Sequence, residues 1–277
     1  MLNNYQRYTV DYNQLEGFSL PVDDSPLVLV VIKGQVKFEF LIRLNQESEK
    51  AIVFGSGAYD ATSELEPPIF QRHKWMKHFD ENLIYYNDPT LYLGQINLGW
   101  GFGCQERHYL KEIALILEVL LNKAKLKREN TLFYGSSAGG FMSLMLAGFI
   151  KETVALVNNP QTIVWNYYDR HVNAMFNRAH PNLSREEIIE IYSNRLNVLS
   201  FYENINYVPK IIYLQNLASE RDLTHHLTPF ILGLGQMHLE DFFDRIKVEL
   251  YYDKDLGHSP LRLKESVDYI KKTIDKM

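Results

Sequence analysis

The chain has 277 residues, 46% of them hydrophobic and 23% charged, with a formal net charge of -5. This is the composition of a globular protein long enough to bury a sizeable core. It excludes a disordered chain, and the mild acidity argues against a nucleic-acid partner. The single cysteine, Cys104, rules out an intrachain disulfide framework and fits a reducing compartment.

The opening "MLNNYQRYTVDYNQ" is polar and lacks the basic and apolar regions of a signal peptide. No apolar run approaches the roughly 20 residues of a membrane span. A cytoplasmic protein with no membrane span is expected. Residues 26–43, "PLVLVVIKGQVKFEFLIR", are two β-rich runs joined by Lys33-Gly34-Gln35, and the second alternates apolar with charged residues. They predict a β-hairpin with one buried face. Such a hairpin extends the main sheet, forms a small β unit, or offers an assembly surface, so a homo-oligomer is among the arrangements permitted.

From residue 51 strands alternate with helices. "AIVFGSGA" reads as a buried strand ending in a Gly-Ser-Gly loop, and "NLIYYND" as a second strand stopped by Pro89. Residues 109–126, "YLKEIALILEVLLNKAKL", carry apolar residues at helical spacing, with lysines toward the C-terminal end as the helix dipole favours. "NTLFYG", "TVALVNN", "KIIYLQN" and "KVELYYD" predict four more strands, with helices at 224–234 and 261–274 after the last two. This order implies an α/β fold, a mostly parallel sheet covered by helices on both faces. The segment 160–206, aromatic, polar and mainly helical in pattern, interrupts the rhythm and reads as an insertion. The expected organisation is an N-terminal hairpin extension over 1–50 and a main domain over 51–277.

The stretch "TLFYGSSAGGFMSLMLAGFI" (residues 131–150) carries the chemistry. Gly135-Ser136-Ser137-Ala138-Gly139 matches G-x-S-x-G between a strand and a helix, the context of a nucleophile elbow with Ser137 as nucleophile. Gly135, Gly139 and Gly140 supply the small residues that such a turn needs. The plainer alternative is a glycine-rich turn with ordinary polar residues. A phosphate loop is disfavoured, because no lysine follows the glycines. A base is expected late in the chain, and "GHSP" places His258 between the last strand and the last helix. The acid belongs after "KIIYLQN": Asp222 is favoured over Glu220, although Asp222 also suits a helix N-cap. Asp253 and Asp255 are weaker choices. No histidine pair shows a convincing metal-ligand spacing. Oxyanion donors are expected at the amide of Ala138 and at Ser56 or Gly57 in "FGSGA".

The elbow, the late Gly-His and the strand–helix order resemble the α/β-hydrolase superfamily over residues 50–277. The phrases "FGSG", "PIFQRHKW", "YYNDPTLYL", "GWGFG", "FYGSSAGGF" and "YLQN" are similar, more narrowly, to hydrolase-like proteins of bacterial surface-glycan pathways. These include capsule O-acetyltransferases and the acetyltransferase component of accessory secretion systems. That resemblance implies acyl transfer from acetyl-CoA, as a substrate, to a glycan or polysaccharide hydroxyl, with no bound cofactor. An esterase or deacetylase acting on an acylated glycan or small ester remains open, as does a non-catalytic hydrolase-fold protein in a glycan assembly complex. A peptidase is not distinguished, and the polar insertion disfavours a lipase. The 13% aromatic content includes 18 tyrosines, which suits a sugar-binding surface. Trp100, Trp165, Tyr167, Tyr168 and Arg170 are candidates for a stacking platform. Arg72, Lys74 and Lys77 are candidates for meeting an anionic polymer or a nucleotide donor.

Overall fold

The computed structural model describes residues 5–21, 24–239 and 242–277. Strands β1 (Gln6–Asp11), β2 (Leu27–Lys33), β3 (Val36–Arg43), β4 (Ala51–Phe54), β5 (Asn82–Tyr86), β6 (Thr131–Ser137), β7 (Val154–Pro160), β8 (Lys210–Asn216) and β9 (Ile246–Tyr251) form one sheet among the described residues. Its order is β1-β2-β3-β5-β4-β6-β7-β8-β9. β3 runs antiparallel to both neighbours, and every other pairing is parallel. The central strands are buried along their whole length, as "AIVF", "NLIYY" and "VALVNNP" require when both faces are covered.

The 26–43 hairpin is β2–β3, and it joins the main sheet through β3–β5 pairing rather than standing apart. Its inward side chains Leu29, Val31, Phe38 and Phe40 belong to the same apolar cluster as the central strands. β1 was not legible in the sequence: "QRYTVD" has one buried side chain, Val10, and earns its place by parallel pairing with β2.

Helix α1 (Tyr109–Lys123) buries an apolar stripe beside α2 (Ala138–Phe149) on one face of the sheet. α2 is buried from Ala138 through Gly148, because the insertion lies over it. That insertion comprises α3 (Asp169–Ala179), α4 (Arg185–Leu196) and α5 (Val198–Ile205). Ser184 caps α4 in a reciprocal capping box with Glu187. α6 (Glu220–Asp222) continues through a π-helical turn, Leu223–Leu227, into α7 (Thr228–Gln236). The opposite face is covered by α8 (Leu263–Ile274) and a short 3-10 turn, His73–His78, over Val28, Leu83, Leu132 and Leu156. No helix among the described residues is long and apolar enough to cross a membrane.

Candidate active site

The carboxyl ends of β4, β6, β7 and β8 converge on Ser137. It adopts φ 53° and ψ -125°, a left-handed backbone that a residue with a side chain holds only under local strain, of about 1–3 kcal/mol. The register of β6 against β7 shifts between Ser136 and Ser137, which lifts the serine out of the ladder at the N-terminus of α2. The turn is tight enough to dictate its neighbours. A Cβ on Gly135 would stand 2.2 Å from the Gly139 carbonyl oxygen, and one on Gly139 would stand 2.7 Å from that of Gly55. The second approach brings the Gly55–Gly57 loop against the elbow.

His258 Nε2 lies 3.0 Å from Ser137 Oγ, and His258 Nδ1 lies 2.9 and 2.7 Å from the two oxygens of Asp222. Asp222 is 3% exposed and also accepts a 2.6 Å hydrogen bond from the Ser219 hydroxyl. The Ser219 hydroxyl thereby helps to orient the carboxylate. Glu220, the other candidate acid, is exposed on the first turn of α6, whereas Asp222 is buried against His258. Asp222 is not the N-cap of that helix; Ser219 is. Asp253 serves the His258 loop, accepting from the amides of Asp255 and Leu256 and from Arg262.

Three asparagines, none anticipated from the sequence, hold that loop. Asn216 donates to the carbonyls of Asp253 and Gly257 and accepts from the Asp253 amide. Asn159 donates to the carbonyls of His258 and Ser259 and accepts from the Asn216 amide. Asn158 accepts from the Leu261 amide. All three are fully buried. The available signal was polar residues ending otherwise apolar strands, in "VNNP" and "YLQN".

The other sequence candidates separate cleanly. Ser56, Gly57 and Ala138 line one small cavity beside Ser137. The Gly57 amide donates to Gln71 Oε1 at 2.8 Å. Trp100 is fully buried and cannot offer a ring face to a ligand; its indole N–H donates to Gln161 Oε1. Arg72 does not reach into solvent. Its guanidinium donates to Ser136 Oγ at 2.5 Å and toward the Gly55 carbonyl, over the rings of Trp75 and Tyr134. Burial pulls its pKa down. It braces the elbow against the Gly55–Gly57 loop. Lys74 and Lys77 are exposed. Trp165 is half-buried against the core, and its carbonyl accepts from Arg185.

Tyr167, from the insertion, stands 6.4 Å from the His258 ring and 6.0 Å from Trp100. Beside it, Arg221 lies over the exposed ring of Tyr168. Gln161, missed in the sequence, is fully buried and donates from Nε2 to Ser137 Oγ at 3.1 Å. Its only signal was a polar residue directly after the β7 proline. Behind it, the Thr162 amide donates to His226 Nδ1 at 3.3 Å within the π-helical turn. Burial drives the pKa of His226 down to about 3, so the ring is neutral.

The overall fold is also found in solved structures. The capsule O-acetyltransferase of Neisseria meningitidis serogroup A superposes with a TM-score of 0.67 at 16% identity, over 87% of this chain and 95% of that one. The fold is that of the α/β-hydrolases. An S-formylglutathione hydrolase from Agrobacterium tumefaciens gives 0.61 at 13% identity, over 92% of this chain and 96% of that one. The glycosylation-associated Gap123 complex from Streptococcus agalactiae gives 0.60 at 12%, over 86% of this chain and 44% of that one. A variant of the Neisseria enzyme is known in complex with CoA. No protein-family model matches this α/β-hydrolase-fold chain, and no curated protein sequence matches it.

Proposed function

We propose that the protein is a serine-dependent acyltransferase working through an acyl-enzyme, with acetyl-CoA as donor and the hydroxyl of a surface glycan or polysaccharide as acceptor. The observation that carries this reading is the continuous hydrogen-bonded line from Ser137 Oγ through His258 to the buried Asp222. In that line Asp222 holds the proton on His258 Nδ1, so Nε2 presents a lone pair to the serine hydroxyl. His258 takes the hydroxyl proton as Oγ attacks the thioester carbonyl. The oxyanion faces the amides of Ala138 and Ser56 at the N-terminus of α2, where the helix dipole also favours negative charge. His258 then protonates the departing thiolate, leaving acetyl-Ser137. An acceptor hydroxyl repeats the sequence in reverse, giving its proton to His258 and taking the acetyl group.

The likeness to a capsule O-acetyltransferase supports transfer over hydrolysis, and Tyr167 supplies a ring beside His258 on which a sugar can stack. The S-formylglutathione hydrolase likeness supports the esterase alternative, which shares the first half-reaction and differs only in using water as acceptor. The test is intact mass after incubation with acetyl-CoA and, separately, with 4-nitrophenyl acetate, for wild type and Ser137→Ala. An acetyl adduct from both donors, absent in the variant and discharged by an added glycan, is expected. An adduct from the nitrophenyl ester alone, discharged by water, favours the esterase. Neither an adduct nor ester turnover leaves a hydrolase fold without this chemistry.

A further inference from the structure

We propose that Gln161 is a catalytic residue: its side-chain amide, oriented by Trp100, donates to Ser137 Oγ and stabilises the charge that gathers there as the acyl group arrives and leaves. This rests on the acyl-transfer reading and adds a second hydrogen-bonding group, beside His258, at the reacting oxygen.

The orientation of the amide is settled by chemistry. An indole N–H donates and never accepts. Trp100 Nε1 meets one end of the Gln161 amide, so that end is the oxygen and the other, 3.1 Å from Ser137 Oγ, is the NH2. The serine oxygen has one proton and two lone pairs. With Asp222 holding the proton on His258 Nδ1, Nε2 accepts and the serine proton points there. One lone pair then faces Gln161, and the other is free to attack. Trp100, through Gln161, and Asp222, through His258, thus set the directions of the two hydrogen bonds on the nucleophile.

Gln161 is held on all sides. Its backbone amide donates to the Ser137 carbonyl at 3.2 Å. Thr162 beside it is pinned to the π-helical turn by bonds to His226 Nδ1 and the His226 carbonyl. Trp100 has φ +53° and sits in a loop tied down by Asp88, which accepts from the amides of Gly101 and Thr90. A rigid buried donor costs no reorganisation when charge appears, the condition under which such donors matter most.

In acylation the Oγ–C bond forms, the Oγ–H bond breaks with its proton going to His258 Nε2, and the carbonyl π pair moves to the carbonyl oxygen. In deacylation the Oγ–C bond breaks, its electron pair returns to Oγ, and His258 restores the proton. Oγ carries partial negative charge at the start of one step and the end of the other, so the Gln161 N–H assists both.

Three substitutions test this: Gln161→Met, which keeps the bulk and loses the donor; Gln161→Glu, which still accepts from Trp100 and, at pH high enough to ionise a buried carboxyl, turns an acceptor toward Oγ; and Trp100→Phe, which frees the amide. The burst and steady-state rates with 4-nitrophenyl acetate are read across pH, with Ser137→Ala as the blank. The His258 ring titration is followed by NMR independently of turnover. A loss of about 10²-fold in both acylation and deacylation for Gln161→Met is expected. Trp100→Phe should fall between Gln161→Met and wild type. Gln161→Glu should carry its acid limb and the His258 titration to higher pH, since a second carboxylate stabilises the imidazolium. Should Gln161→Met fail to fold, the near-isosteric Gln161→Glu decides. Wild-type rates and an unmoved titration in Gln161→Glu and Trp100→Phe, with Ser137→Ala inactive, would overturn the assignment while sparing the acyl-enzyme. A wild type that never acylates overturns both.

Discussion

Asp222 and Glu220 lie two residues apart on one short helix, and their side chains have different surroundings. Asp222 is buried between Ser219 and His258, whereas Glu220 is exposed. A carboxylate that holds a histidine tautomer matters chiefly when the base must accept a proton. Asp222→Asn should therefore lower kcat by about 10³–10⁴ with the far-ultraviolet spectrum unchanged. Glu220→Gln should leave kcat and KM as they are. Comparable losses in both, measured by ester turnover, would move the acid elsewhere. The same scale accounts for Trp100: a tryptophan in a Gly-rich loop reads as a ligand platform, and only its burial and its bond to Gln161 reveal that it faces inward.

The elements around the site are joined by polar side chains at strand ends rather than by apolar packing. Asn216 closes β8 and ties four backbone groups: the amides of Ala218 and Asp253 and the carbonyls of Asp253 and Gly257. Truncation to alanine strands these groups in a buried setting, at about 1–3 kcal/mol for each one left unsatisfied. Asn216→Ala should lower the urea midpoint and speed hydrogen exchange in residues 253–260 more than in α2. Turnover should drop because His258 loses its fixed position. Uniform exchange across the sheet would show that the asparagine acts on global stability alone. The turn of Ser137 is the opposite kind of joint: space, not hydrogen bonding, restricts Gly135 and Gly139.

At the scale of the whole molecule, pH dependence follows from buried neutral imidazole. His226 is fully buried with its pKa lowered to about 3, chiefly by desolvation, and its Nε2 has no hydrogen-bond partner among the described residues. The folded state therefore binds fewer protons than the unfolded chain between the ordinary histidine pKa near 6.5 and about 3. The contribution is fully present above pH 6.5 and is lost as pH falls toward 3, by at most about 5 kcal/mol at 1.36 kcal/mol per unit. His226→Gln should flatten the urea midpoint between pH 6.5 and 4 relative to wild type. Parallel curves for the two proteins would assign the acid sensitivity to other groups. The edge of the sheet shows a second molecular feature: β9 exposes Leu250 near its end, and Tyr252 directly after it is exposed too.

The strand–helix alternation, the elbow at Ser137, the histidine before the last helix and the helical insertion were legible in order along the chain. Each is written in local terms: apolar period, turn chemistry and small residues where backbone must approach backbone. β1 was not, because an edge strand with one inward side chain has almost no periodic signature. The choice between Asp222 and Glu220, the bond of the Gly57 amide to Gln71, and the roles of Gln161, Asn159 and Asn216 depend on partners 14 to 100 residues distant in the chain. Periodicity records which way a side chain faces, but not what stands opposite it. That pairing exists only once β6, β7 and β8 lie side by side and their carboxyl ends bring Ser137, Gln161, Asp222 and His258 together.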